Sequence, residues 1–156
     1  MSGTIEARLA EIGVTLPKPA APVAAYVSAV EQNGFLHISG QLPFDDAGEL
    51  MRGRLGEDRD IAFGQLAARA CAMMLVAQMK AALGDLDRVE RIVKLGVFVN
   101  SDPRFTDQAQ VANGASEFMQ EIFGESGRHA RSAVGVPVLP LGVAVEIDAI
   151  VAVTDG

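Results

Sequence analysis

Arg131, Glu146 and Asp148 are charges set inside otherwise apolar stretches near the end of the chain. That tail reads as two strands joined by a tight connection. Val134, Val136 and Val138 share one face of the first strand, and Val143, Val145, Ile147, Ala149 and Val151 share one face of the second. Arg131, and then Glu146 and Asp148, fall on the opposite faces. A guanidinium offers a planar fork of donors that matches a carboxylate, and a positioned carboxylate can orient water or carry a proton. The same alternation also describes a sheet face that simply meets water. The tail alone leaves both readings open.

Other chemistry-bearing residues are sparse. His37 and Ser39 share a face of an earlier strand, so a Ser-His-Asp set could be composed with Asp148. Nothing in the sequence marks Ser39 as a nucleophile, and that set is not favoured. Asn113-Gly114 interrupts a helix of good formers at a cost in propensity. It fits either an amide that makes a contact or an exposed, kinking Asn. Cys71, between Ala70 and Ala72, reads as a small buried hydrophobe and not as a reactive thiol. Met73, Met74 and Met119 read as core filler. With one Cys and two His, no Cys/His metal site is expected, and no Gly-rich phosphate loop, Walker motif or zinc pattern occurs.

The elements that must position these residues follow from periodicity and punctuation. Ile5, Leu9 and Ile12 make a short amphipathic helix over 4–12 that Gly13 can end. The prolines of Leu16-Pro-Lys-Pro-Ala-Ala-Pro22 then force an extended strap lying over the domain. Tyr26–Val30 and Phe35–Ser39 read as strands around the turn Gln32-Asn-Gly34. Gly40 marks a close backbone approach or a bulge. Phe44–Gly56 reads as a loop or an irregular hairpin. Asp58 or Asp60 can cap a long helix reaching Leu83, with Gly84 just beyond it. Ile92–Val99 alternates as a strand, and Asp102-Pro103 reads as the start of a second helix whose stripe is Val111, Ala115, Phe118, Met119 and Ile122.

Two successive strand–helix–strand units call for right-handed crossovers, which put both helices on one face of a mixed α/β (α+β) sheet. The other face is expected to carry Arg131, Ala133, Glu146 and Asp148 beside Ala144, Ile150 and Ala152. That set is too apolar for a fully wet surface, so copies of the chain are expected to cover it for each other.

Composition narrows the function classes. The 156 residues suit one domain, 1–156, with residues 1–23 as its N-terminal helix and strap. A net charge of −7 opposes generic binding to nucleic acid or anionic membranes, and Arg128, Arg131 and His129 form the one compact basic cluster. A lone cysteine, no signal-peptide pattern at the start and no run judged apolar enough to span a bilayer point to a cytoplasmic protein.

Ala130-Arg-Ser-Ala-Val134, followed by Leu139-Pro140 and Val145-Glu-Ile147, resembles the signature of the Rid family (RidA/YjgF, also called L-PSP endoribonuclease-like), including the interval of fifteen from Arg131 to Glu146. Tyr26-Val27 with Ile38-Ser-Gly-Gln41, and Val111-Ala-Asn-Gly114, are further matches, so the resemblance spans roughly residues 24–153. The leader helix and strap resemble a longer subgroup of that family. The chain departs from the family pattern at His129 and Pro137, and Ala133 stands where some members have a cysteine.

The resemblance implies a chorismate-mutase-like fold assembled as a homotrimer with interfacial sites. It implies an enamine/imine deaminase that hydrolyses 2-imino acids to 2-keto acids and ammonia. Arg131 would bind the carboxylate and Glu146 would activate water. Asn113, Ser39 and Gly40 would hold substrate or water, and Tyr26 from a neighbouring subunit would wall the pocket. It implies no metal and no cofactor. Two alternatives stay open, a non-catalytic or regulatory carboxylate-binding trimer and an endoribonuclease. The role of His129 is open too, between structural and tuning Arg131.

Overall fold

The computed structural model describes residues 3–156. Helix α1 (Thr4–Glu11) and the strap precede a five-stranded sheet built from β1 (Ala29–Gln32), β2 (Phe35–Gln41), β3 (Val89–Asn100), β4 (Ala130–Val136) and β5 (Val145–Val153). Two helices, α2 (Ile61–Leu83) and α3 (Gln108–Phe123), complete it. The order across the sheet is β1-β2-β5-β3-β4. β3 and β4 pair parallel, and every other neighbouring pair is antiparallel. The crossovers β2-α2-β3 and β3-α3-β4 therefore step the same way along the sheet, and a common hand puts both helices on one face.

The core lies between that face and the helices. Ala67, Ala68, Cys71, Leu75 and Met79 of α2 and Phe118 of α3 pack on Leu95, Val97, Val145 and Ile147. Each large side chain of this set is fully buried, worth about 1.5–3 kcal/mol apiece. The alanines on α2 let the helix lie close to the strands. Gly64 and Gly114 do the same between helices: a Cβ on Gly114 would run into the Gln65 carbonyl. Asp60 caps α2, accepting from the Phe63 amide at 2.9 Å. Among the expected core fillers, Met74 and Met119 are buried and Met73 packs against the core. Cys71 is buried, its Sγ donates to the Val145 carbonyl at 3.5 Å, and desolvation pushes its proton affinity well up.

Several expectations are corrected. The tail strands do not form a hairpin, because β3 lies between β4 and β5. The second helix begins at Gln108, not at Asp102-Pro103. Asp102 instead folds a local turn, accepting from the Arg104 amide at 2.9 Å. The first strand starts at Ala29, so Tyr26 precedes it. Helix α2 is long and apolar enough to cross a bilayer by length and composition, with a mean hydropathy of 1.4 over its most apolar window. Its apolarity serves the core instead, since 61% of that window is buried.

The largest correction concerns the charged faces. Arg131 pairs with Leu95, whereas Glu146 pairs with Phe98. Side chains alternate along β3, so partners of positions 95 and 98 point to opposite faces. Leu95 is buried against the helices. Arg131 and Ala133 therefore lie on the helix face of edge strand β4, while Glu146 and Asp148 lie on the uncovered face. The valine parity is inverted with them: Val134 is exposed.

Candidate active site

Arg131 reaches α3 from the edge strand. Its Nη1 donates to Asn113 Oδ1 at 2.9 Å and to Ser116 Oγ at 3.0 Å, and its Nη2 donates to the Ala109 carbonyl at 3.3 Å. Asn113 and Ser116 stand one turn apart on the helix surface that faces β4. The helix-propensity cost of Asn-Gly is thereby explained. Gly114 makes room for the Gln65 carbonyl, and the Asn113 amide holds an arginine. Three of the five guanidinium donors are engaged. The Nε–H finds no protein acceptor among the described residues, and with Nη2 it forms the side-on edge that suits a carboxylate.

His129 adds a further link. Its Nε2 lies 2.8 Å from Ser116 Oγ and its Nδ1 lies 2.6 Å from the Gly127 carbonyl. Ser116 is buried and was not singled out from sequence. Its position three residues after Asn113 is the signal that could have found it.

Glu146 belongs to a different constellation. The register between β2 and β5 shifts between Ile38 and Gln41, a bulge centred on Ser39-Gly40. The Glu146 carboxylate occupies the space a Gly40 Cβ would need. Both expectations for Gly40, bulge and close approach, are met at once. Desolvation first, and then the neighbouring Asp148 charge, raise the Glu146 proton affinity above the ordinary carboxylate range. Asp148 is raised as well, chiefly by burial, although the Gly96 amide and Lys94 pull it down.

Tyr26, Gly40 and Glu146 line one hollow of roughly 120 Å³ with Phe44, Leu141 and the strap from Ala20 to Val23. The strap is pinned there. Gln78, buried on α2, donates to the Ala20 carbonyl at 2.9 Å and to Gln41 Oε1 at 3.2 Å. Leu141, at the rim, holds a left-handed backbone with φ of 59° and is exposed. Arg52 Nε secures it by donating to its carbonyl at 2.7 Å. A left-handed backbone is uncommon for leucine, and this bond helps to hold it.

Ser39 does not join this hollow. It lines a separate one of about 540 Å³ on the uncovered sheet face, with His37, Lys94, Phe98 and Asp148. His37, Ser39 and Asp148 thus come together, but Ser39 Oγ donates to the Val27 carbonyl at 2.8 Å and no bond joins it to His37 among the described residues. The Ser-His-Asp set is not wired for nucleophilic catalysis. No group of three or more metal-ligating side chains occurs among the described residues. A wider, open hollow of about 960 Å³ at the start of α2 is occupied by structural charges: Asp60 caps the helix and Arg59 stacks on Phe63 at 4.0 Å.

Residues 6–151 match the family described as "YjgF/chorismate mutase-like, putative endoribonuclease". The chain is 58% identical to Protein TCP17 of Trypanosoma cruzi, covering 96% of this chain and 94% of the relative. It is 27% identical to a 2-iminobutanoate/2-iminopropanoate deaminase of Dermatophagoides farinae, over 90% of this chain and 94% of that one. A protein of unknown function from Agrobacterium tumefaciens superposes with a TM-score of 0.88 at 46% identity, covering 97% of this chain and 94% of that one. E. coli TdcF with bound serine superposes at 0.62 and 28% identity, over 90% of this chain and 98% of that one. The residues matched to the family include the charged tail, the bulge and Asn113-Gly114 of α3.

Proposed function

Because the chain belongs to the YjgF/chorismate mutase-like family, we propose that it is an enamine/imine deaminase, hydrolysing 2-imino acids to 2-keto acids and ammonia. The observation that carries this reading is the state of Arg131. Three protein acceptors hold one side of its guanidinium and leave the Nε–Nη2 edge for a carboxylate. Glu146 supplies the complementary chemistry. A carboxylate whose proton affinity is raised takes a proton from water more readily than an ordinary one.

In the proposed reaction the carboxylate of the 2-imino acid sits on Arg131, and Glu146 draws a proton from water as its oxygen bonds to the imine carbon. Glu146 returns that proton to the nitrogen of the resulting carbinolamine, the carbon–nitrogen bond breaks to release ammonia, and the hydroxyl gives its remaining proton to Glu146 as the keto group forms. Protonated imines are reactive, so orientation supplies most of what the reaction needs. The deaminase of Dermatophagoides farinae supports the reaction class, and the serine bound to TdcF supports a small ligand bearing a carboxylate.

Arg131 and Glu146 lie on opposite faces of one sheet, so we infer that they meet on one substrate across a boundary between copies, in a homotrimer. Val30, Phe98, Val134 and Ile150 on the uncovered face supply apolar surface for such packing. Turnover of a 2-imino acid freshly generated by an amino-acid oxidase tests the reading. Keto-acid release should exceed the buffer rate and be abolished in Arg131→Ala; no acceleration by the wild type would overturn it. Pyruvate binding through Arg131 without turnover would select a carboxylate-binding protein instead.

A further inference from the structure

For a neutral His129 ring the bonds around it have only one consistent direction. The Gly127 carbonyl can only accept, so His129 Nδ1, 2.6 Å away, carries the proton. Burial, and then the nearby Arg131 charge, disfavour the imidazolium, although the Gly127 carbonyl favours it; the net effect holds the ring's proton affinity below the usual histidine range. A neutral ring protonated on Nδ1 has a bare Nε2. That nitrogen must accept from the Ser116 hydroxyl at 2.8 Å. With its proton committed to His129, Ser116 Oγ turns its lone pairs to Arg131 Nη1 at 3.0 Å. The chain of bonds thus crosses from the 3-10 turn at Gly124–Gly127, through the connection just before β4 and through α3, to β4.

We propose that His129, acting through Ser116, is the positioning residue that sets the orientation of the Arg131 guanidinium. The proposal rests on the reading of Arg131 as the carboxylate-binding group. Arginine carries about 2 kcal/mol of rotamer entropy on its side chain. Without Ser116, Asn113 holds one Nη1 hydrogen and the Ala109 carbonyl holds Nη2 only at a longer 3.3 Å. A third acceptor at 3.0 Å, aimed by the imidazole, tightens the plane and with it the Nε–Nη2 edge. An acceptor whose own proton is donated onward is also a stronger acceptor, because bonds in series polarise one another. Without His129 the serine hydroxyl can rotate and offer Arg131 its hydrogen side.

The test uses the full chain, three single variants and the double variant of His129→Phe with Ser116→Ala. His129→Phe keeps the ring shape and removes both nitrogens. His129→Gln restores an acceptor close to the place of Nε2. Ser116→Ala removes the intermediate oxygen. Binding is read by calorimetry with pyruvate, and turnover with oxidase-generated 2-iminobutanoate. Loss of one charge-assisted bond predicts that Kd for pyruvate, and KM, rise about tenfold in His129→Phe and in Ser116→Ala. The kcat value should stay within about threefold, because ground-state and transition-state binding of the carboxylate are lost together. The double variant should be no worse than Ser116→Ala, since both changes cut the same series of bonds. His129→Gln should recover most of the loss.

A merely structural histidine would lower the melting temperature of His129→Phe, leave pyruvate binding at the wild-type value, and add its effect to that of Ser116→Ala. Unchanged pyruvate binding, or additivity with Ser116→Ala, overturns the proposal. Nitrogen-15 spectra give a readout that needs neither binding nor turnover. They should show His129 protonated at Nδ1 alone, and the Arg131 Nε–H should exchange faster in His129→Phe. An Nε2-protonated ring, or unchanged exchange, overturns the proposal. The two readings fail separately. A wild type that binds pyruvate but turns over no imine removes the deaminase and leaves binding to judge His129. A wild type that binds no pyruvate removes the role of Arg131, and the spectra still decide whether His129 orders it.

Discussion

Gly40→Ala separates folding from chemistry at a single methyl group. Gly40 is not among the residues with a left-handed backbone, so alanine meets no dihedral penalty there. Its demand is for space. A Cβ at this position would fall on Glu146 Oε2, with Glu146 Cδ 2.9 Å and Cγ 3.1 Å away. Overpacking a rigid core costs about 1–3 kcal/mol. Here the obstacle is the end of a flexible, half-buried side chain that can rotate away. The cost should therefore sit near the lower end, about 1 kcal/mol, or a melting temperature lower by roughly 2–4 °C.

The chemistry has no such freedom. Misplacing a reacting group by about 1 Å costs on the order of a hundredfold, and losing a positioned base costs about 10²–10⁴-fold. Accordingly kcat should fall by about a hundredfold or more, while KM, set at Arg131, changes by no more than about threefold. Gly96→Ala is the control. Its Cβ would fall on the Asp148 carboxylate of the same sheet face, so it should lower the melting temperature by a similar amount and spare kcat. Oxidase-coupled keto-acid release, with thermal melts on both variants, decides the matter. A Gly40→Ala enzyme with kcat within about threefold of wild type, or a Gly96→Ala enzyme that loses just as much, would refute the packing of Glu146 on Gly40 as the source of its placement.

Glu146→Gln should abolish turnover yet raise the melting temperature near neutral pH. The folded-state proton affinity of Glu146 is raised, so ionising it opposes folding: stability is highest below the ordinary carboxylate pKa and is lost as pH rises through the folded one. Thermal melts at acid and neutral pH check this, and the gain should vanish in acid. Asp60→Ala removes the acceptor for the Phe63 amide and should cost about 1 kcal/mol in chemical denaturation without changing KM. Gln78→Ala frees the Ala20 carbonyl and Gln41 Oε1 from their shared donor. It should cost about 1–3 kcal/mol and speed amide exchange in the strap, which calorimetry and hydrogen exchange would read.

What was legible in the sequence was local or carried by spaced motifs. Asp60 and Gly84 bracket α2 as a cap and a stop should, because a helix end is decided by a few neighbouring residues. Asn33 and Gly34 both take positive φ in the hairpin turn between β1 and β2, as a two-residue connection demands. Asp102-Pro103 misled because Asp is equally good at closing a turn on its own backbone. The Arg104 amide and guanidinium, both bonded to Asp102, settled that competition in favour of the turn. Membrane-length apolarity in α2 was misjudged because alanine and methionine raise hydropathy wherever they are buried, in lipid or in a core. The strap's part in the Glu146 hollow was illegible for a different reason. Gln78 reaches Ala20 across 58 positions, and no local pattern encodes such a pairing.

The face of Arg131 is where local reading fails by necessity. Alternation tells which residues share a face of a strand, never which face meets the helices. On β5 the answer is the expected one, since Val145 and Ile147 are buried and Glu146 points outward. On β4 it is reversed. An edge strand pairs on only one side, and here the first half of α3 lies over its helix face with Asn113 and Ser116 turned towards it. Those polar groups make the helix side of β4 the polar side, so Arg131 goes in and Val134 goes out. The motif that joins Arg131 to Glu146 in sequence therefore separates them in the chain, by the width of one strand and the thickness of the sheet. If the two act on one molecule, a second copy must bring its uncovered face to the edge strand of the first. The exposed valine at 134 is then a packing group, and a charge there, Val134→Asp, should dissociate the assembly and abolish turnover together, while Arg131 keeps its bonds to α3.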